Sequence, residues 1–287
     1  MITFVFPGQG AQYSGMGTNL FERFSRQIET AKSVLGLDIR DLCELNESQL
    51  RETHNTQPAL FFVNALNYLS FERMGIQPDA AAGHSLGELN ALVAAGVIDF
   101  ATGLWIAWER GRCMSQTPDG QPSLGGMVAV SNISDTEVVL DLVAEEFSDF
   151  DTASINSPTQ LVFAGPSGRT NELESRINAL GIGRAIVLRV GAAFHSRYML
   201  EAAERFRSRL EDANIEFHRP RCPVFSNATA EPFPEDPSGI KDLMVEQLTK
   251  PVLWMNTVQN IRRGETVMFQ ELGPRPILTP LIKETCS

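Results

Sequence analysis

The chain has 287 residues, of which 43% are hydrophobic and 21% are charged, and its formal net charge is −11 at pH 7. This composition is typical of one large globular domain, or of a domain that carries a smaller insert, and it excludes an intrinsically disordered chain. The acidic charge argues against nucleic acid or an anionic membrane as the main partner.

The cysteines and the N-terminal residues indicate where the protein works. Four cysteines lie far apart and form no C-x-x-C pair, at Cys43, Cys113, Cys222 and Cys286. Neither a zinc site nor a disulfide framework is indicated, and we expect a cytoplasmic location. The sequence shows no basic segment followed by a long apolar run, and no apolar stretch of 18 residues. We therefore expect no signal peptide and no membrane span.

The first predicted strand covers residues 2 to 6 and enters the loop Pro7-Gly8-Gln9-Gly10. A dinucleotide-binding G-x-G-x-x-G loop is excluded because Tyr13 stands at its third glycine. A phosphate-binding P-loop is excluded because Met16 stands where the lysine would be. The loop can instead bring backbone N–H groups to a site.

Two helices are predicted next. Residues 19 to 35 have the pattern of an amphipathic surface helix, and a polar stretch follows from 38 to 55. Pro58 then opens a helix over 59 to 69 that is apolar on nearly all sides. Such a helix is buried in the middle of a domain, and we expect it to pack against the turn described next.

The stretch Gly83-His84-Ser85-Leu86-Gly87 fits the G-x-S-x-G pattern of a nucleophile elbow. A short buried strand is predicted over 78 to 82 and a helix over 88 to 95, so the pattern lies at a strand-to-helix turn. The elbow would present the Ser85 hydroxyl beside the positive end of a helix. A glycine-rich turn with an N-capping serine is the structural alternative.

A further helix is predicted over 100 to 115, with Asp99 as its N-cap. It carries Arg110 and Arg112, two positions that differ by about 200° around a helix. Only one of these arginines can therefore point inward, and a solvated surface position is the ordinary environment of the other.

After Gly125 the pattern changes to alternating strands and helices. The predicted order is β-α-β-β-α-β, a ferredoxin-like order, over residues 127–130, 135–147, 151–156, 160–164, 171–180 and 184–190. The rest of the chain returns to mixed elements, with helices over 197–214 and 242–248, strands over 224–227 and 267–271, and a last helix after Pro276. We conclude that the first and last thirds form one α/β unit that the middle segment interrupts.

Several motifs occur together in the order and spacing of one family. They are Pro7-Gly8-Gln9-Gly10, Gly83-His84-Ser85-Leu86-Gly87-Glu88, Arg110-Gly111, Asn156 with Pro158 and Gln160, and Phe194-His195-Ser196. From Phe6 to Leu278, the chain resembles the malonyl-CoA:acyl carrier protein transacylases of fatty acid synthesis and the acyltransferases of polyketide synthases. The resemblance implies an α/β-hydrolase-like large subdomain of residues 1–124 and 196–287. It also implies a ferredoxin-like small subdomain of residues 125–195, with the site in the cleft between them.

The same resemblance implies roles for particular residues. Ser85 would be the nucleophile and His195 its base, the backbone N–H groups of Gln9 and Leu86 would form the oxyanion hole, and Arg110 would bind the malonyl carboxylate. The family orients its histidine through a main-chain carbonyl, which would lie near residues 250 to 252 here.

The motifs also suggest roles for three further positions. Asn156 would orient the pocket, or is simply a turn residue before proline. His84 would shape the elbow. Phe194 stands where malonyl-selective members carry Phe and methylmalonyl-selective members carry Ser, although the familiar malonyl pattern begins with His where this chain has Ala192.

The chemistry of the residues supports the choice of base independently. A serine hydroxyl needs a base within hydrogen-bond reach, and histidine is the best suited side chain near neutral pH. Of the four histidines, His54 and His218 lie in polar stretches and His84 is held in the turn beside Ser85. His195, at a glycine-led junction, is the remaining candidate.

These observations predict a ping-pong transfer of a malonyl group from malonyl-CoA to an acyl carrier protein. We expect no metal or other cofactor and a monomeric enzyme. Carrier proteins are usually acidic, so Arg262, Arg263 and Arg275 are candidate contacts. An acyl hydrolase on the same scaffold and an inactive docking subunit of a synthase are the alternatives. A hydrolase of uncharged acyl groups would have no use for a buried Arg110.

Overall fold

The computed structural model describes residues 1–116, 125–263 and 266–287, which form two β-sheets with helices packed around them. The strands are β1 Ile2–Phe6, β2 Ala80–Gly83, β3 Gly126–Ser131, β4 Asp151–Ser157, β5 Gln160–Gly165, β6 Arg184–Leu188, β7 Val224–Phe225 and β8 Met268–Glu271. The α-helices of the described chain are α1 Thr18–Phe21, α2 Ser25–Leu35, α3 Ile39–Glu44, α4 Glu47–Leu50, α5 Thr53–Arg73, α6 Gly87–Ala94, α7 Phe100–Ser115, α8 Thr136–Glu146, α9 Thr170–Leu180, α10 Leu200–Asp212, α11 Pro237–Glu246, α12 Trp254–Arg262 and α13 Leu278–Cys286. The predicted mixed α/β architecture is confirmed.

The first sheet is parallel and has the strand order β7-β2-β1-β8. Successive side chains of a strand point to opposite faces. Phe4 and Phe6 accordingly join the largest hydrophobic core with α5 and α6, whereas Val5 joins a separate core with Trp254 and Val258 of α12. Helices thus cover both faces, as parallel sheets require.

The carboxyl ends of β1 and β2 bring two loops into direct contact. Phe6 pairs with Gly83, so the loop after each strand leaves from the same edge of the sheet. A Cβ on Gly87 would lie 2.0 Å from the Phe6 carbonyl oxygen, and one on Gly8 would lie 2.4 Å from that of His84. Only glycine allows this approach, which presses the loop of residues 7–10 against the elbow.

The second sheet is antiparallel and has the order β4-β5-β3-β6. One face packs on α8 and α9 around a core of its own, while Met127 and Val162 on the other face join the largest core. Hydrogen bonds also connect β4 to the chain after α11, because the Ile155 N–H donates to the Val252 carbonyl at 3.0 Å. The second sheet therefore packs against the largest core and is hydrogen-bonded to the chain that follows α11. The element order β-α-β-β-α-β is the predicted one.

Three predicted helices differ from those observed. Helix α5 begins at Thr53, so the expectation that Pro58 opens it is wrong. Pro58 lies near the start of the helix, where its missing N–H leaves only one backbone hydrogen bond unmade. A 3₁₀ turn interrupts the helix predicted over 19–35. Helix α11 begins at Pro237, five residues early, because Asp236 caps it by accepting from the Gly239 N–H at 3.0 Å. Helix α12 was not predicted.

Other expectations can be compared directly. Asp99 caps α7 as predicted, accepting from the Thr102 N–H at 2.7 Å. Residues 117–124, which include the predicted end of the first large-subdomain segment, lie outside the described residues. Within the part of the chain that is described, no helix is both long and apolar enough to cross a bilayer.

Candidate active site

Ser85 lies in the tight turn between β2 and α6 with a φ angle of +51°. This left-handed conformation is unfavourable for a residue other than glycine and must be held by its surroundings. Asn227 holds it on both sides: its Oδ1 accepts from the Ser85 N–H at 2.6 Å, and its Nδ2 donates to the Gly83 carbonyl at 2.6 Å. The backbone on both sides of Ser85 is therefore fixed.

His195 contacts Ser85 directly, with 2.7 Å between Nε2 and Oγ. Its Nδ1 lies 2.7 Å from the Gln247 carbonyl oxygen. A carbonyl can only accept, so Nδ1 carries the proton and the Nε2 of a neutral ring accepts from the Ser85 hydroxyl. Burial, and secondly the charge on Arg110, lower the pKa of His195 to about 3, which keeps the ring neutral near pH 7.

The carbonyl that orients His195 differs from the expected one. The prediction placed it near residues 250 to 252, but the hydrogen-bonded carbonyl belongs to Gln247, the C-cap residue of α11. Carbonyls at a helix end have no partner within the helix and are free to accept from a side chain. The Lys250 carbonyl makes only a minor contribution to the pKa of His195.

Arg110 is 2% exposed and projects from α7 toward Ser85. Its Nη2 donates to the Ser85 Oγ at 3.2 Å and to the Gln247 Oε1 at 2.7 Å, and its Nη1 donates to the Gln57 Oε1 at 2.9 Å. No carboxylate of the described chain forms an ion pair with it. Burial lowers the pKa of Arg110 to about 10, so the group stays cationic near neutral pH.

Arg112 points the other way, as the helical spacing requires. Its Nη1 lies 3.0 Å from Glu109 Oε1, and its side chain is 47% exposed. The other two candidate bases are also remote from the cavity lining: His54 faces Glu52, and His218 is largely exposed near Glu216. The structure therefore brings only His195, of these three histidines, to Ser85.

A cavity of about 450 Å³ joins these groups. Its lining includes all seven candidate residues from the sequence, namely Gln9, Ser85, Leu86, Arg110, Asn156, Phe194 and His195. The backbone N–H groups of Gln9 and Leu86 donate to no acceptor among the residues that the structure describes. They are available to a bound oxyanion. The walls above the polar groups are apolar and include Met127, Val162 and Leu188.

His84 and Asn156 form a contact between the two sheets beside the nucleophile. The His84 Nε2 lies 2.8 Å from the Asn156 Oδ1, and the Asn156 Nδ2 donates to the Gln160 Oε1 at 2.8 Å. Burial lowers the pKa of His84. Asn156 belongs to β4 and is buried, so it is more than a turn residue before a proline.

Three polar residues of the site, Gln57, Asn227 and Gln247, were missed from the sequence, and Glu88 was quoted in the elbow motif without a role. Glu88 Oε2 accepts from the Asn227 N–H at 2.6 Å, and burial raises the pKa of this carboxyl to about 8. Its place directly after the elbow was the signal for that role. The other three are single amide residues without a motif, and only the fold brings them to Ser85.

The family model described as "Acyl transferase domain" matches residues 3–287. The chain is 39% identical over 285 residues to "Polyketide biosynthesis malonyl CoA-acyl carrier protein transacylase PksC" of Bacillus subtilis (strain 168), which covers 98% of this chain and 96% of PksC. It is 40% identical to "Polyketide biosynthesis protein PksE" of the same strain over 98% of this chain; this chain spans only 36% of PksE. Among solved structures, "PlMCAT:AntF (holo): type II PKS acyl-carrier protein in complex with its malonyl-transacylase" matches with a TM-score of 0.87 and 32% identity, over 99% of this chain and 92% of that one.

Proposed function

Because this chain belongs to the acyl transferase domain family, we propose that it is a malonyl-CoA:acyl carrier protein S-malonyltransferase. The observation that carries this proposal is the guanidinium of Arg110, which lacks a carboxylate partner in the described chain and lies 3.2 Å from the Ser85 Oγ. A malonyl group differs from an acetyl group by one carboxylate, and a planar guanidinium binds a carboxylate through two parallel hydrogen bonds.

In the first half-reaction, the Ser85 Oγ attacks the thioester carbonyl of malonyl-CoA while its proton passes to the His195 Nε2. The backbone N–H groups of Gln9 and Leu86 stabilise the oxyanion. The carbon–sulfur bond then breaks, and the CoA sulfur leaves with the proton held by His195. The products are CoA and a malonyl ester on Ser85.

In the second half-reaction, the phosphopantetheine thiol of the carrier protein attacks the seryl ester. His195 takes the thiol proton and returns it to the Ser85 Oγ as the ester bond breaks. One thioester is consumed and one is formed, so no metal or redox cofactor is required. The ester carbonyl remains beside the same oxyanion donors throughout.

We propose that the two sheets correspond to an α/β-hydrolase-like large subdomain, residues 1–124 and 196–287, and a ferredoxin-like small subdomain, residues 125–195. The separate core between the second sheet and its helices α8 and α9 supports this division. The free thiols of all four cysteines support a cytoplasmic location. The enzyme is proposed to act as a monomer.

The comparisons and the site favour transfer over the two alternatives. A hydrolase of uncharged acyl chains would have to desolvate Arg110 for no gain in binding. An inactive docking subunit would not need the 2.7 Å contact between Ser85 and His195. A hydrolase would lose the acyl group from Ser85 to water, and an inactive subunit would form no acyl-enzyme.

Intact-protein mass spectrometry after brief exposure to malonyl-CoA tests the proposal. The wild-type chain should gain about 86 Da, the mass of malonic acid less water, which is the adduct expected from covalent catalysis. Ser85→Ala should gain nothing, with its thermal unfolding midpoint close to that of the wild type. An adduct on Ser85→Ala would refute the role of Ser85. Rapid loss of the adduct without any thiol acceptor would instead indicate a hydrolase.

A further inference from the structure

A second cavity, of about 540 Å³, opens next to the catalytic one. The two share Gln9, Leu188 and Val190 as lining residues, so they meet at one wall. The second cavity lies between the loop that follows β1 and the chain that leaves β6. We call it the outer groove, and it is lined further by Tyr13 and by three arginines, Arg51, Arg189 and Arg275.

The outer groove is basic although the whole chain carries a net charge of −11. Among the described residues that line the groove, Glu47 is the only acidic one, and it pairs with Arg51 at 2.9 Å. In residues 1–116, 125–263 and 266–287, neither Arg189 nor Arg275 forms an ion pair. The lining therefore has a charge of +2, from three arginines and one glutamate, and two of its cations are available to an anion.

Arg275 is held in place rather than free in solvent. Its Nε donates to the Ala11 carbonyl at 3.2 Å, its Nη2 donates to the Gln12 carbonyl, and its guanidinium lies 5.3 Å from the centre of the Tyr13 ring. These partners are neutral, so the positive charge is not cancelled. The remaining N–H groups of a guanidinium fixed in this way can bind a phosphate with little further loss of side-chain entropy.

We propose that the outer groove binds phosphate on the pantetheine arm of the substrates, with Arg189 and Arg275 as the principal contacts. This inference rests on the proposed function, in which Ser85 attacks a thioester at the end of such an arm. The arm enters past Gln9 and Val190, which both cavities share, and its far end then lies in the basic groove. CoA and a carrier protein both end the arm in a phosphate ester, and CoA adds the phosphates of its nucleotide.

Rates of acyl-enzyme formation from three donors test the inference. The donors are malonyl-CoA, malonyl-4′-phosphopantetheine and malonyl-pantetheine, of which only the last lacks phosphate. The variants are Arg189→Ala and Arg189→Glu, with Arg219→Ala as the matched control, because Arg219 is an exposed arginine that pairs with Glu235 away from the groove. Intact-protein mass spectrometry of quenched samples gives kcat/KM for each combination of donor and variant.

We expect Arg189→Glu to lower kcat/KM for malonyl-CoA by roughly tenfold at low ionic strength, and Arg189→Ala by less, with both effects shrinking as salt is added. Malonyl-pantetheine should react equally well with all variants, and Arg219→Ala should match the wild type. An effect on both phosphorylated donors assigns the groove to the phosphate of the arm; an effect on malonyl-CoA alone assigns it to the nucleotide phosphates.

Two results would overturn the inference. One is an equal loss with malonyl-pantetheine, which would show that the substitution damages the site itself. The other is no loss with any donor, which would leave Arg189 as an ordinary solvated arginine. Both leave the proposed function intact as long as the wild type is acylated. Failure of the wild type to form an adduct from malonyl-CoA would refute the function independently of the groove.

Discussion

Ser85 and His195 share a left-handed backbone conformation, with φ angles of +51° and +58°, and their side chains meet at 2.7 Å. Such a conformation costs on the order of 1–3 kcal/mol for each residue other than glycine. Here Asn227 holds the backbone on both sides of Ser85, and the carbonyl of Gln247 fixes the ring of His195. The reacting pair is therefore prepared before substrate arrives.

Replacing His195 with alanine should slow acyl-enzyme formation by roughly 10² to 10⁴, the usual contribution of a general base. His54→Ala and His218→Ala are the matched controls, because neither side chain lines the cavity. Stopped reactions analysed by mass spectrometry measure all three rates. A greater loss in either control than in His195→Ala would mean that the base has been misidentified.

The pH dependence of the same step follows from the state of His195. Burial and the nearby Arg110 lower its pKa to about 3, well below its usual value of 6.5, and only the neutral ring can accept the Ser85 proton. Since the base stays neutral as the pH falls, kcat/KM should show no inflection near 6.5 between pH 7.5 and 5. The Arg110→Ala variant lacks this nearby positive charge, so the pKa of His195 should rise. The pH at which kcat/KM begins to fall on the acidic side should then be higher than in the wild type. A wild-type inflection at 6.5 would contradict this assignment.

Arg110→Ala should change acyl selectivity as well as rate. Leaving the malonyl carboxylate unpaired in a buried site costs roughly 2 to 5 kcal/mol, so malonyl loading should collapse while acetyl loading from acetyl-CoA is maintained or improved. Lysine should restore part of the loss, because it has the charge without the fork geometry. The ratio of malonyl to acetyl adducts is the measurement, with Arg112→Ala as the outward-facing control. An unchanged ratio would remove Arg110 from the substrate site and favour the hydrolase.

Phe194 should exclude the extra methyl group of methylmalonyl-CoA. The ring is buried and lines the catalytic cavity, so Phe194→Ser should enlarge the space beside the acyl group. One methyl group changes discrimination by only about 1 to 3 kcal/mol, and the preference should shift by a factor within that range. Competition between the two CoA esters measures it. Equal use of both esters by the wild type would show that Phe194 does not set the selectivity.

The sequence was most informative where a motif requires a particular backbone. Gly83 and Gly87 are needed because a Cβ at either would collide with neighbouring chain, and this constraint identified Ser85. Hydrophobic periodicity likewise predicted the strands of both sheets. The partners of Arg110 carried no such signal, since Gln57 and Gln247 are single amides about 190 residues apart whose roles arise only from tertiary packing.

Helix α12 is a different kind of omission. Trp254, Val258 and Ile261 are spaced as one buried face of a helix, and all three lie in the core on the outer side of the first sheet. The spacing of these residues therefore carried a signal for the helix. The start of α11 was recognisable too, because Asp236 followed by Pro237 is the sequence signal of an N-cap and a first helical residue. The start of α5 carried no such signal, since its N-cap residue Glu52 makes no capping hydrogen bond through its side chain.

The hydrogen bonds that surround Ser85 also determine when the enzyme can become reactive during synthesis. Asn227 and Gln247, which contact its backbone, lie 142 and 162 residues further along the chain. Contacts across such long loops close late in folding, and domains assemble as the chain emerges from the ribosome. A nascent chain that ends before Gln247 lacks the carbonyl that orients His195 and one of the three acceptors of Arg110. The complete arrangement of hydrogen bonds around Ser85 and His195 can therefore form only after Gln247 has been synthesised.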